Sequence, residues 1–99
     1  MPAQFDTSSR RALERCGWRV RSRIASREQY AALAALTAFL DAAGGWRVQQ
    51  GKTVLARGQE SHPCAAAMDA NEILWAWRDG RKAPDHLGGK LTDEGRKVL

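Results

Sequence analysis

Hydrophobic and polar positions alternate with a period of two over one short segment near the start of the chain. Trp18, Val20 and Ile24 are separated by arginines, with Ser22 between the last two arginines. This spacing is typical of a strand with one apolar face and one cationic face. Residues 18–24 are therefore predicted to form a β-strand. The alternative is a helix that continues through Gly17, which glycine disfavours by about 1 kcal/mol.

Helical signals lie on both sides of this strand. The hydroxyl residues at 7–9 can cap a short helix over residues 10–16. A capping box, Ser26 with Gln29, precedes the alanine-rich run 30–43, which predicts a second helix. Its large apolar residues spread round much of the circumference, so we expect a central helix packed on several sides. These residues are Tyr30, Leu33, Leu36, Phe39 and Leu40.

A third helix is predicted to begin at residues 61–63 and to continue to Arg78, because proline suits a first helical turn and Gly80 can end the helix. Its predicted inward stripe comprises Ala66, Ala70, Ile73, Leu74 and Trp77. Trp75 lies about 200° round the helix from Trp77 and is therefore expected near the surface. Residues 92–99 predict a last helical turn, with acidic residues first and basic residues last.

Residues 46–57 have the pattern of a β-hairpin with a two-residue turn at Gln50 and Gly51. In this register Trp46 opposes Leu55, and Arg47, Gln49, Lys52 and Val54 share a polar face. Glutamine suits the left-handed conformation of such a turn poorly, so a longer turn is the alternative.

The chain length and composition indicate one compact domain. It has 99 residues, 43% hydrophobic and 27% charged, which excludes a disordered tail and a disulfide-dense mini-protein. The predicted fold class is α+β, in which a three-stranded antiparallel sheet packs on two or three helices. The predicted order is helix, strand, helix, hairpin, helix. The domain is expected to span residues 1–99, with 81–99 as a loosely packed C-terminal segment.

Positive charge is concentrated in the first third of the chain. The net charge is +5, and residues 1–30 contribute seven arginines against three acids. An excess of arginine favours anionic partners, since its planar donors match phosphate and carboxylate groups. Codon drift in a GC-rich genome is the alternative source of this arginine.

The basic residues suggest a non-enzymatic module that binds nucleic acid or a nucleoprotein with little sequence preference. On an extended strand Arg19, Arg21 and Arg23 would repeat every ~6.7 Å, close to the spacing of backbone phosphates. The candidate nucleic-acid-binding residues are Arg11, Arg15, Arg19, Arg21, Arg23, Arg47 and Lys52. The alternative is a solvated cationic strand with no ligand.

A second hypothesis is a protein-interaction or inhibitor module of the kind found in mobile elements. Trp75 is its candidate anchor, because exposed aromatic residues dominate many protein interfaces. A homodimer through the same patch is the simplest form of this hypothesis.

Other chemistry finds little support in the sequence. Gly51, Lys52 and Thr53 match the end of a phosphate-binding loop, but that motif needs a glycine where Trp46 stands. His62 and Cys64 fit no zinc framework. We therefore predict no catalytic residue, metal, cofactor or small-molecule substrate. A cytoplasmic protein without a membrane segment is expected, because residues 1–6 lack a signal-peptide pattern and the longest mostly apolar stretch, residues 31–40, has only ten residues.

Overall fold

A five-stranded antiparallel sheet forms the centre of the protein. The computed structural model describes residues 3–32 and 34–99. The strands lie side by side in chain order, so that each pairs with the next. They are β1 (Arg19–Val20), β2 (Ile24–Ala31), β3 (Ala34–Asp41), β4 (Gly45–Gln50) and β5 (Thr53–Gln59). The β1–β2 and β3–β4 connections therefore lie at one end of the sheet, and the β2–β3 and β4–β5 connections at the other.

Helices cover one face of this sheet and both of its edges. They are α1 (Thr7–Arg15), α2 (Pro63–Asp79), a 3₁₀ helix (Asp85–Lys90) and α3 (Asp93–Val98). The long helix α2 crosses β2, β3 and β4, while α1 packs against α2 and β1, and α3 packs against β5. We call the covered side the inner face and the opposite side the outer face. Within the described residues, no helix combines the length and the apolar character that crossing a membrane requires.

The core lies between the inner face and α2. Leu36 and Val48 of the sheet are fully buried together with Ile73 and Leu74 of α2. Burying each such side chain contributes about 1.5–3 kcal/mol. Trp46 opposes Gly58 across the β4–β5 pair, and a Cβ on Gly58 would lie 2.7 Å from the indole nitrogen. The absence of that Cβ leaves room for the indole against β5.

The predicted second helix over residues 30–43 is wrong. Its residues instead form the end of β2 and the whole of β3. The run also alternates: Leu36, Ala38 and Leu40 are buried, whereas the residues between them are only half-buried. Burial of this period-two face against α2 outweighs the helical propensity of alanine. Leu33, a residue of the predicted helix, lies outside the described residues, as do Met1 and Pro2.

The predicted three-stranded sheet is therefore too small, although the α+β class holds. The strand expected over residues 18–24 is also wrong, because β1 contains only Arg19 and Val20 before the chain turns back. Arg21 donates its backbone N–H to the carbonyl of Ile24, which closes the turn into β2. The three alternating arginines consequently do not follow one strand.

The hairpin over residues 46–57 is confirmed, but its register is not. Gln50 pairs with Thr53, so the turn consists of Gly51 and Lys52. A β-bulge after Val48 then sets Trp46 opposite Gly58. A bulge adds one residue to one strand, and Leu55 and Ala56 are both buried as a result.

The starts and ends of the other three predicted helices agree with the structure within a few residues. α1 begins three residues earlier than expected, because the Asp6 carboxylate accepts a hydrogen bond from the Ser9 backbone N–H at 2.7 Å. That bond lowers the pKa of Asp6. α2 begins at Pro63 and ends before Gly80, which is left-handed with φ of 67°. Thr92 caps α3 through Gly95.

Candidate functional site

A row of side chains crosses the open outer face of the sheet. The strand register aligns one residue from each of the five strands in this row. From β1 to β5 these residues are Arg19, Ser26, Phe39, Arg47 and Arg57. We call this set the arginine row. None of the helices in the described residues packs on this side of β2, β3 or β4, so the row faces solvent.

The spacing of the row follows from the geometry of the sheet. Neighbouring strands lie about 4.8 Å apart, so the Cα atoms of Arg19 and Arg57 are about 19 Å apart. Arg47 and Arg57 are direct cross-strand partners, and Arg19 stands alone at the opposite edge. Among the described residues, none of these three arginines forms an ion pair with a carboxylate. Their charges are available to an anionic ligand.

An aromatic ring lies between these charges. The Arg47 guanidinium carbon is 4.4 Å from the centroid of the Phe39 ring, a cation–π contact. The Arg47 Nε also donates to Gln49 Oε1 at 2.9 Å. Together these contacts hold the guanidinium plane over the ring and present a flat surface at the middle of the row.

The two carboxylates on the outer face are engaged by local donors. The Tyr30 hydroxyl donates to Glu28 at 2.8 Å, and this bond raises the pKa of Tyr30. Asp41 Oδ1 accepts the backbone N–H groups of Ala43 and Gly45 at 2.9 and 3.1 Å. The Tyr30 side chain is 59% exposed despite its bond. This face therefore offers a second aromatic ring on the same strand as Ser26.

Two shallow concavities lie on either side of the Phe39–Arg47 contact. The first has a volume of about 430 Å³ and lies over Ser26, with Arg19 and Phe39 among its walls. The second has a volume of about 460 Å³ and lies over Gly45, with Arg47 and Arg57 in its lining. Both cavities open on the outer face, and each is lined by two arginines and one carboxylate, Glu28 in the first and Asp41 in the second.

The structure brings only two of the predicted site residues together on this face, Arg19 and Arg47. The others lie elsewhere on the surface. Arg11 and Arg15 are exposed on α1, beside α2. Arg21 and Arg23 lie in the β1–β2 turn, and Lys52 lies in the β4–β5 turn at the opposite end of the sheet.

Two other arginines of the N-terminal third have structural contacts. Arg10 donates to the carbonyls of Val20 and Arg21 at 3.2 and 3.3 Å. Arg27 donates to the Cys16 carbonyl at 2.7 Å and to Asn71 Oδ1 at 3.1 Å. The Arg10 bonds join α1 to the end of β1 and the turn that follows it. The Arg27 bonds join β2 to the end of α1 and to α2. The local excess of arginine therefore includes residues that hold the fold together.

Sequence reasoning missed three residues of the outer face. Arg57 is the last residue of the predicted hairpin, and the bulge that sets it opposite Arg47 gives no sequence signal. Phe39 and Tyr30 were assigned to a buried helix. The alternation of Leu36, Ala38 and Leu40 was the signal that could have placed Phe39 on the outer face.

Trp75, the predicted partner-binding residue, lies on the exposed side of α2, with 37% of its surface accessible. Met68 lies two turns earlier on the same side and is 69% exposed. The two side chains form an apolar strip on the helical layer, away from the outer face.

A pair of carboxyl groups lies on the helical side. The pKa of Asp69 is raised to about 6, first by burial and then by a hydrogen bond with Glu60 and that residue's negative charge. Asp69 Oδ2 is buried and has no hydrogen-bond donor among the described residues, and the nearby negative charge of Glu60 makes ionisation of Asp69 less favourable still. His86 lies 2.7 Å from Glu72, and its charge partly offsets the increase in the pKa of Asp69. Sequence analysis had singled out no such pair.

Metal ligands do not cluster in the part of the chain that the structure describes, where no group of three or more histidine, cysteine or acidic side chains could hold an ion. Cys16 and Cys64 are both free thiols. Comparison of the chain with protein-family models, with curated proteins and with solved structures gave no match.

Proposed function

We propose that this protein is a non-enzymatic module that binds single-stranded nucleic acid, free or within a nucleoprotein, on its outer face. The observation that carries the proposal is the arginine row, in which three arginines flank an aromatic ring on an open sheet and none of the described carboxylates pairs with them. Phosphates of a strand would lie against Arg19 at one edge and against Arg47 and Arg57 at the other.

A single strand suits this face better than a duplex. Its bases are free to stack on aromatic rings and guanidinium planes, and such stacking contributes about 1–3 kcal/mol per base. The Phe39–Arg47 contact and the exposed Tyr30 ring provide two such surfaces. A distance of about 19 Å between the outer arginines matches about three nucleotides at the phosphate spacing of ~6–7 Å.

Little sequence preference is expected from this arrangement. Phosphate contacts and stacking carry little information about base identity. We expect the protein to act in the cytoplasm, since its two free thiols suit a reducing compartment.

The test is the salt dependence of binding to a fluorescein-labelled oligothymidine of about ten nucleotides. The plot of log K against log salt should be less steep in the triple variant Arg19→Gln, Arg47→Gln, Arg57→Gln. The magnitude of its negative slope should decrease by about 2, because each lost single-strand phosphate contact reduces that magnitude by ~0.7. Affinity at low salt should fall at least about tenfold.

The matched control is Arg11→Gln, Arg15→Gln, Lys52→Gln, which removes the same charge from other surfaces. This variant should keep most of the affinity. Equal losses in the two triple variants would mean that binding follows net charge alone, and the proposed face would then be wrong.

A second candidate function is contact with another protein through the strip formed by Trp75 and Met68. The supporting observation is the exposure of two large apolar side chains on one side of α2. We propose a second copy of this chain as the simplest partner. Sedimentation at increasing concentration should then reveal a dimer that Trp75→Ala abolishes, and a monomer at all concentrations would contradict this proposal.

A further inference from the structure

A groove on the helical side of the sheet lies beyond the end of α2. It has a volume of about 530 Å³, which is within the range of ligand pockets. Ala31 and Ala34, whose side chains point to the inner face, form part of its floor, and Trp77 and Val98 lie in its walls. Because α2 ends at Asp79 and the two alanines are small, α2 does not extend over this end of the inner face. We call this the basic groove.

Positive charge surrounds the basic groove on two sides. Arg81 and Lys82 follow α2, Arg96 and Lys97 belong to α3, and none of the described residues in its lining is acidic. The two arginines contact carboxylates, Arg81 with Asp79 and Arg96 with Asp93. The two lysines have no ion pair among the described residues. An apolar floor with a cationic rim is complementary to an anionic ligand that carries an apolar group.

We propose that the basic groove binds an acidic peptide segment through one large apolar side chain. The apolar side chain would lie on Ala31 and Ala34 beside Trp77, and carboxylates on either side of it would face Lys82 and Lys97. The two lysines without ion pairs among the described residues lie on two sides of the groove, so a peptide with carboxylates on both sides of its apolar residue matches them better than a fatty acid with its single carboxylate. A nucleic acid has the charge but no aliphatic group to place on the floor.

This proposal is independent of the arginine row. The basic groove opens on the helical side, whereas the arginine row lies on the outer face. A protein with both sites could hold a nucleic acid and an acidic protein segment at the same time. Failure of either binding experiment would leave the other one standing.

The test uses a fluorescein-labelled peptide in which one leucine is flanked on both sides by aspartate and glutamate, followed by fluorescence anisotropy. The variant Lys82→Glu, Lys97→Glu should bind it at least about tenfold more weakly, because like charges then face the peptide. The matched control Lys52→Glu, Lys90→Glu, at exposed positions outside the groove, should change the affinity less than about twofold. Thermal unfolding checks that both variants remain folded.

A second peptide tests the apolar anchor. Replacing the leucine by serine keeps the peptide charge and should weaken binding about tenfold, since the buried side chain is lost. Unlabelled oligothymidine should not displace the peptide. Three results would each overturn the proposal: no saturable binding, equal loss in the two lysine variants, or displacement of the peptide by the oligonucleotide.

Discussion

The two faces of the sheet are built from the same five strands and differ in almost every physical property. On the inner face Leu36, Leu40 and Val48 are buried against α2, and no water reaches them. On the outer face the residues between them include Phe39 and Arg47, which no helix of the described chain covers. The fold therefore depends mainly on the inner face, and the outer face can carry charge at little cost in stability.

The largest difference in stability is expected between substitutions at two adjacent residues of β3 that point to opposite faces. Leu36→Ala should lower the free energy of unfolding by about 2–5 kcal/mol, because it leaves a cavity between the sheet and α2. Thr37→Ala, on the outer face, should lower it by less than about 1 kcal/mol. Chemical denaturation measures both values, and similar losses would mean that the outer face is covered too.

The second-largest loss of stability is expected at the tight contact between Trp46 and Gly58. Gly58→Ala should lower the free energy of unfolding by about 1–3 kcal/mol, since the added Cβ would overlap the indole. Gly89→Ala is the control: no atom lies within 4 Å of a Cβ there, and a change within about 0.5 kcal/mol is expected. A Gly58→Ala variant with an unchanged free energy of unfolding would show that Trp46 can move away from β5 without loss of stability.

The same contrast between local and tertiary interactions decides which parts of the fold can be predicted from the sequence. The ends of α2 were predictable because His62, Pro63 and Gly80 act within one turn of the chain. The β2–β3 pair was not, since alanine prefers helices and only the packing of Leu36, Ala38 and Leu40 on α2 makes the strand more stable. Tertiary burial, which sequence windows do not contain, decided that segment.

The site was predictable only in part for the same reason. Arginine enrichment pointed to an anion, and Arg19 and Arg47 were both chosen from the sequence. Their alignment with Arg57 depends on the register of four strand pairs and on a bulge. Long-range pairing of this kind has no local signal, so the row as a whole could not be predicted.

A smaller effect is predicted for the carboxyl pair on the helical side. Because the folded-state pKa of Asp69 is raised to about 6, above its unfolded value, its ionisation opposes folding. The stability of the protein should therefore rise as the pH falls from about 6 to 4. Asp69→Asn should remove this dependence and stabilise the protein at pH 7 by about 1 kcal/mol, a value reduced for screening by solvent.

Denaturation at several pH values measures the Asp69 effect. The exposed Asp85→Asn variant serves as its control and should keep the pH dependence of the unchanged protein. An Asp69→Asn variant with that same pH dependence would contradict the raised pKa of Asp69 as its source.

The most direct test of the central claim follows the side-chain Nε–Hε signals of the arginines by NMR while oligothymidine is added. If the outer face binds the strand, the signals of Arg19, Arg47 and Arg57 should shift together and saturate, while those of Arg11 and Arg15 stay nearly unchanged. Shifts that are largest at Arg11 and Arg15, or that spread evenly over all exposed arginines, would contradict the assignment of the arginine row as the binding site.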